Sequence, residues 1–237
     1  MSVHARPHRL HAAILTLILV VGLASLAAAE VGPLTAPAQG KIRVAFLLGP
    51  HATMIDFAGP WEVFQDVHVH DRGPTMDDMM PFALYTVAES KNPIVATGGM
   101  TIVPDHSFAD APAPDVVVIP ASGAPPEAAA AWLRKVAPDA DIVMSVCTGA
   151  FHLARSGLLD GLPATTHHDF VDQLEKTFPK VKVTRDRRFI DNGRVATAAG
   201  LTSGIDLALH VVERYFGREV AETTATYMEH HSTDWKD

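Results

Sequence analysis

The chain's single cysteine, Cys147, stands where an apolar run meets a sharp turn: Ile142–Phe151 reads IVMSVCTGAF, and a helical-looking stretch, His152–Arg155, follows at once. A strand that enters Cys-Thr-Gly-Ala and leaves as a helix has the layout of a nucleophile elbow, in which the reactive atom projects above the sheet beside the helix start. A thiol at an exposed helix N-terminus has its pKa lowered from about 8.5 toward neutrality, because the N–H groups there favour the thiolate. Cys147 would then be a nucleophile; the plainer alternative is a buried, unreactive core cysteine. Asp56 is the acid best placed to work with it. It lies in Met54–Pro60 (MIDFAGP), on a loop expected to return over the same rim. Its apolar flanks, Ile55 and Phe57, would desolvate a carboxyl group, raise its pKa and let it relay a proton. The alternative role for Asp56 is to cap a helix starting at Gly59 or Pro60. Glu62, one turn further in, reads as a supporting acid.

Backbone N–H groups from two turns could stabilise a developing negative charge: Thr148 and Gly149 at the elbow, Ser122 and Gly123 in the Pro120–Gly123 turn. Gly and Ser also serve ordinary strand-to-helix turns. The 13 histidines raise the question of a metal. His68 and His70, His167 and His168, and His230 and His231 all lack the His-Glu-x-x-His spacing that sets two ligands on one helical face, and there is no second cysteine. No metal and no cofactor are expected. His167 is the histidine expected at the site, because Ala164–His168 (ATTHH) leads out of a short strand; His230 and His231 are expected to be solvated near a frayed end.

The elements that must hold these residues follow from periodicity. Lys41–Leu48, Phe82–Ala88, Asp115–Pro120 and Asp141–Val146 are near-continuous apolar runs of strand length, as in a parallel sheet buried on both faces. They alternate with helical stretches over Gly59–Val69, Pro126–Val136 and Thr148–Ser156, which implies an α/β doubly wound, mostly parallel sheet with helices on both faces. Asp191–Gly193 (DNG) between Arg188–Ile190 and Arg194–Ala198 predicts a hairpin. A helix over Ile205–Phe216, capped by Thr202 or Ser203 and stopped by Gly217, closes the fold. Ligands of such sheets bind beyond the carboxyl ends of the strands, which singles out the turns at Gly49–Pro60, Pro120–Gly123 and Cys147.

Residues 1–29 read as a secretory signal peptide: Arg6 and Arg9, an apolar core over Ala12–Ala24 shorter than the ~20 residues of a membrane span, and Ala27-x-Ala29 before a cut at Glu30. An uncleaved anchor is the alternative. Residues 30–40, with Pro33, Pro37 and Gly40, read as a linker, and 41–237 as one domain. Cleavage would leave an exported, periplasmic protein with no stable membrane association. A lone cysteine there cannot form an internal disulfide, and an oxidising compartment favours a thiol that is either buried or used. The net charge of −8 argues against a nucleic-acid surface, and the cluster Arg185, Arg187 and Arg188 reads as a solvated strand edge.

These pieces resemble the ThiJ/PfpI family of the class I glutamine amidotransferase-like superfamily, with its flavodoxin-like fold. The resemblance is closest to isonitrile hydratases and the amidase-like domains fused to AraC-type regulators. It rests on Ile55–Phe64 (IDFAGPWEVF), Ser145–Ala150 (SVCTGA) with Ser156–Leu159, Ala164–His167 and Gly200–Leu209 (GLTSGIDLAL), and runs from about Lys41 to Tyr227. It implies that Cys147 is the nucleophile, assisted by Asp56 and Thr148, and that an isonitrile is hydrated to an N-substituted formamide. It also implies a homodimer acting on a small-molecule substrate. Family peptidases carry His directly after the cysteine, where this chain has Thr148, and glyoxalase-type members carry Glu where it has Asp56. The chain departs from the family pattern at Pro120–Gly123, where Pro-Gly-Gly is usual, at His168, and at Met228–His230. Two other roles are open: a ligand-sensing module without turnover, for which no DNA-binding segment follows Gly217, and a redox or carbonyl-stress protein that oxidises Cys147.

Overall fold

The computed structural model describes Met1, residues 31–123 and residues 127–236. The segment read as a signal peptide lies, Met1 apart, outside the described residues. Seven strands form the main sheet: β1 (Ile42–Leu47), β2 (Phe82–Ala88), β3 (His106–Ser107), β4 (Val116–Ile119), β5 (Ile142–Val146), β6 (Phe189–Asp191) and β7 (Val195–Ala198). Their order is β6-β7-β5-β4-β1-β2-β3, and every pairing is parallel except that of the edge strand β6 with β7. The main helices are α1 (Met54–Gln65), α2 (Glu127–Val136), α3 (Ala150–Ser156), α4 (Val171–Thr177), α5 (Ser203–Phe216) and α6 (Arg218–Tyr227). This is the doubly wound architecture that the apolar runs predict.

Because successive strand residues face opposite ways, the sheet feeds two cores. Val44, Phe46, Val118, Met144 and Val146 pack with α1, α5 and α6. Ala45, Leu47, Val117, Ile119 and Val143 pack with Trp132 and Leu133 of α2, Leu153 of α3 and Leu174 of α4. Each large side chain buried this way contributes about 1.5–3 kcal/mol. Among the described residues no helix is long and apolar enough to cross a membrane.

Several expectations are corrected. The first helix begins at Met54, not Gly59, so Pro60 lies inside it; its first turn is capped from a distance, the Met54 N–H donating to Thr97 Oγ1 at 3.1 Å. Asp56 therefore sits within the helix, is fully buried, and is no cap for a start at Gly59 or Pro60. At the other end of the chain the tail folds back, with Trp235 1% exposed and His230 Nε2 2.8 Å from the buried Asp206 carboxylate, so His230 is held rather than solvated. Arg188 likewise leaves the solvated edge to pair with Asp206, while Arg185 to Arg187 stay exposed. The stretch expected as a linker is docked in its described part: Leu34 N–H donates to the Arg214 carbonyl (2.7 Å) and Arg214 Nε to the Gly32 carbonyl (3.1 Å).

Small residues bring α1 and α5 together over the end of β5. A Cβ on Gly59 would stand 2.8 Å from Ile205 Cγ1, and one on Gly204 2.8 Å from Val146 Cγ2, so any larger residue would push the helices apart. That close approach sets Asp56 of α1 and the turn before α5 near Cys147.

Candidate active site

Strand β5 ends at Val146, and Cys147 takes φ +57, a left-handed conformation uncommon outside glycine. The chain then turns through a 3₁₀ segment, Cys147–Gly149, into α3. Three contacts hold this strained residue. Cys147 N–H donates to the Ala199 carbonyl (2.8 Å), the Thr166 hydroxyl donates to the Cys147 carbonyl (2.8 Å), and Gly149 passes so close to β4 that a Cβ there would meet the Ile119 carbonyl oxygen at 2.1 Å. Strain kept in place by its surroundings is characteristic of functional positions.

Asp56, from the first turn of α1, has its carboxyl group fully buried. Oδ2 accepts the Ala121 N–H at 3.1 Å, and Oδ1 has no hydrogen-bond partner among the described residues. Burial pushes the carboxyl pKa up to about 6, against the lowering effects of the Ala121 N–H and the neighbouring Cys147 thiol. The thiol's influence is that of a near neighbour, since Oδ1 has no bond of ordinary geometry. Cys147 responds in the opposite sense to expectation. Burial first, and then the Asp56 charge, push the thiol up to about 11, outweighing the Thr148 and Leu201 N–H groups and the Thr148 hydroxyl that favour the thiolate. The helix behind the thiol is only seven residues long, and the thiol of a buried cysteine, 7% exposed, keeps its proton beside a carboxylate. At neutral pH the resting pair is thiol and carboxylate.

The other expected site residues divide into two groups. Thr148 is half-buried and acts directly on the sulfur. His167 is half-buried next to the turn before α5, its ring so tight on Gly200 that a Cβ there would lie 2.3 Å from Cδ2. It lines a cleft with Thr165, Thr166 and Ala199 to Ser203, on the side of the elbow where Leu201 N–H reaches the sulfur. Ser122 and Gly123 line a different cavity, of about 410 Å³, which Cys147 and Asp56 do not line. Gly123 is not available as an oxyanion donor, because its N–H is taken by the Pro50 carbonyl at 2.7 Å. Gly149 is buried against β4 and positions the elbow rather than lining a pocket.

Two donors escape the sequence reading, Ala121 N–H on Asp56 and Leu201 N–H on Cys147. Backbone groups carry no side-chain signature; the signals are that Ala121 lies in the Pro120–Gly123 turn and Leu201 in the Gly200–Leu209 motif, both of which the sequence singles out. Donor atoms of His167, His168 and Asp169 lie within 4.8 Å of one another. His167 Nδ1 accepts the Asp169 N–H at 3.2 Å, however, and His168 and Asp169 are solvent-exposed, so nothing preorganises these three for an ion.

Comparison with known proteins agrees with this fold. The chain is 31% identical over 200 residues to the isonitrile hydratase of Pseudomonas putida, covering 80% of this chain and 78% of that protein. It is 30% identical to the HTH-type transcriptional regulator CdhR of Pseudomonas aeruginosa, over 58% of this chain but only 42% of the regulator's length. Among solved structures, a ThiJ/PfpI family protein from Pseudomonas syringae superposes with a TM-score of 0.69 at 28% identity, covering 83% of this chain and 78% of that one. An AraC family regulator from Pseudomonas putida, at 21% identity over 79% of this chain and 99% of that one, shares the fold with a TM-score of 0.66. The DJ-1/PfpI family model matches residues 42–214, which take in the first strand, Asp56, the elbow and most of α5, and the chain belongs to that family.

Proposed function

We propose that the protein is a cysteine-dependent enzyme that hydrates an isonitrile to an N-substituted formamide, with Cys147 as nucleophile, Asp56 as acid and base, and Thr148 assisting. The observation that carries this reading is a fully buried Asp56, pushed up to about 6 and with Oδ1 unbonded among the described residues, beside the thiol of a strained elbow. A carboxylate with that pKa is ionised at neutral pH yet close enough to titration to take and return a proton. Asp56 removes the thiol proton as sulfur bonds to the terminal isonitrile carbon, then delivers that proton to the same carbon, giving a thioimidate. Water, losing a proton to Asp56, adds to this carbon. The C–S bond breaks, sulfur recovers a proton, nitrogen receives the other, and the formamide leaves with thiol and carboxylate restored.

The gap between the two groups, about 6 against about 11, corresponds to roughly 7 kcal/mol for moving the proton from sulfur to Asp56. The transfer also removes the Asp56 charge that holds the thiol up. The Thr148 and Leu201 N–H groups and the Thr148 hydroxyl then face a thiolate, which they stabilise as fixed dipoles.

The test is conversion of cyclohexyl isocyanide to N-cyclohexylformamide, followed by loss of the isocyanide stretch, together with the pH profile of Cys147 alkylation. Turnover absent in Cys147→Ala, and an alkylation profile that moves to lower pH in Asp56→Asn, support the reading. No turnover, with alkylation indifferent to Asp56, overturns it. The second reading, a ligand-sensing domain without turnover, is favoured by the protonated resting thiol and by the regulator relatives; it takes over on that outcome. Export after cleavage of residues 1–29 and assembly as a homodimer belong to the proposal too, read by fractionation of the expressing cell and by solution mass.

A further inference from the structure

The sequence singles out Ala164–His167 (ATTH), and the chemistry just described uses neither of its threonines. The stretch leaves the short strand Pro163–Ala164 with Thr165 and Thr166 both buried. Thr165 N–H donates to the hydroxyl of Thr197 on β7 at 2.9 Å, which fastens the stretch to the main sheet. The Thr166 hydroxyl then donates to the Cys147 carbonyl at 2.8 Å. That carbonyl already accepts the Ala150 N–H in the turn into α3, so the hydroxyl is not there to rescue an unpaired group. It takes the carbonyl's second lone pair and fixes the direction of the peptide.

Direction matters here because Cys147 stands at φ +57. The strain of a left-handed residue other than glycine and the net worth of one hydrogen bond are of the same order, so a single bond can decide whether the conformation is kept. Nothing on the side chain does that work. Among the described residues Asp56 Oδ1 has no hydrogen-bond partner and Oδ2 takes the Ala121 N–H, so no bond of ordinary geometry ties the sulfur to the carboxyl group. The place of the thiol is therefore set by the backbone of Cys147, held at its N–H by the Ala199 carbonyl and at its carbonyl by Thr166. We infer that Thr166 is a positioning residue for the nucleophile: its hydroxyl holds the carbonyl of the left-handed Cys147 and so keeps the thiol beside Asp56. Without it Cys147 relaxes toward an ordinary negative φ, and the thiol and the carboxyl group cease to influence one another. This role rests on the pairing of Cys147 with Asp56 read above, and not on which molecule is turned over.

The test is a double-mutant cycle on the rate of Cys147 alkylation by iodoacetamide at pH 8, in the parent, Asp56→Asn, Thr166→Val and the double variant. Removing the Asp56 charge should speed alkylation of the parent by about threefold or more, because that charge favours the thiol over the thiolate. In the Thr166→Val background the same change should move the rate by less than about 1.5-fold, since independent sites show no shared effect. Thr166→Ser, which keeps the hydroxyl, should restore the full response. Isonitrile turnover should fall roughly 10–100-fold in Thr166→Val, in kcat rather than KM, and recover in Thr166→Ser. If Thr166→Val does not fold, Thr166→Ala takes its place in the cycle. A threonine that only stabilises the fold lowers the denaturation midpoint and leaves the response to Asp56→Asn at its parent size; that result would overturn the inference. So would a parent whose alkylation ignores Asp56, since there is then no pair to position. Loss of coupling in Thr166→Val, with its return in Thr166→Ser, supports the inference even where no isonitrile is turned over, an outcome that counts against the substrate reading alone.

Discussion

Asp56 and Asp206 are the same residue type in the same kind of place and do opposite things. Each lies in the first turn of its helix, α1 or α5, each is fully buried, and the two helices touch where Ile205 meets Gly59. Asp206 is fully engaged: Arg188 donates to Oδ2 through Nε at 2.8 Å and through Nη2, and His230 Nε2 lies 2.8 Å from Oδ1. Among the described residues Asp56 has a single N–H at 3.1 Å and an oxygen with no partner. Burial alone therefore does not mark a working acid. A buried carboxylate with its charge matched is an anchor, here fastening the tail and the segment before β6 to α5. One left with an open oxygen has the proton-carrying role proposed for Asp56 within its reach.

Activity should separate the two acids most sharply. Asp56→Asn keeps an acceptor for the Ala121 N–H but cannot take a proton, and isonitrile turnover should fall by 10²–10⁴-fold, the usual worth of general acid–base catalysis. Asp206→Asn, assayed where the variant remains folded, should stay within a few-fold of the parent. Steady-state rates for both variants decide it, and equal losses would erase the distinction drawn between them. The pH profile sharpens the same contrast. With Asp56 pushed up to about 6 by burial, turnover should decline below about pH 6 as the carboxylate takes up its proton. That acid limb should persist in Asp206→Asn.

Stability should invert the ranking. Removing one partner from a buried charge cluster costs about 3–5 kcal/mol when the remaining charge is stranded. Arg188 keeps 35% of its side chain in solvent, so the lower end, about 3 kcal/mol, is expected for Asp206→Asn in denaturant titrations at pH 7. A loss below ~1 kcal/mol would mean that Arg188 and His230 are not held by Asp206.

How much of this was legible differs between the two acids for physical reasons. The apolar runs Ile42–Leu47, Val116–Ile119 and Ile142–Val146 specify buried parallel strands by themselves, and the Asp191–Gly193 turn specifies its hairpin, with Gly193 at φ +92. Asp56 and Cys147 were legible because an acid between apolar residues and a cysteine at a strand end are local patterns. The start of α1 was not, because its cap comes from Thr97, 43 residues away, and Pro60 imitates a first-turn proline. Asp206 was invisible as an anchor for the same reason: Arg188 and His230 reach it from 18 and 24 residues off. The sign of the thiol shift was missed because a helix start is visible in a sequence and the depth of burial around it is not.

The smallest effect is also the most discriminating, since it asks a variant that disables the site to make the protein more stable. Asp56 has its pKa raised from an ordinary 3.8 to about 6, so between those values the native state binds more protons than the unfolded chain. Stability contributed by this group is present at low pH and falls as pH rises through that window. Above about pH 6 the ionised, buried carboxylate costs roughly 3 kcal/mol relative to its unfolded reference. Asp56→Asn removes the charge and keeps the bond to Ala121, so at pH 8 it should gain about 2 kcal/mol, allowing for an amide nitrogen without a partner. Near pH 4, where Asp56 is already neutral in the native state, the gain should vanish. Denaturation midpoints of parent and variant at pH 4 and pH 8 measure this directly. A pH-independent difference, or a loss at pH 8, would mean that Asp56 is matched by a partner as Asp206 is, and the contrast between the two acids would collapse.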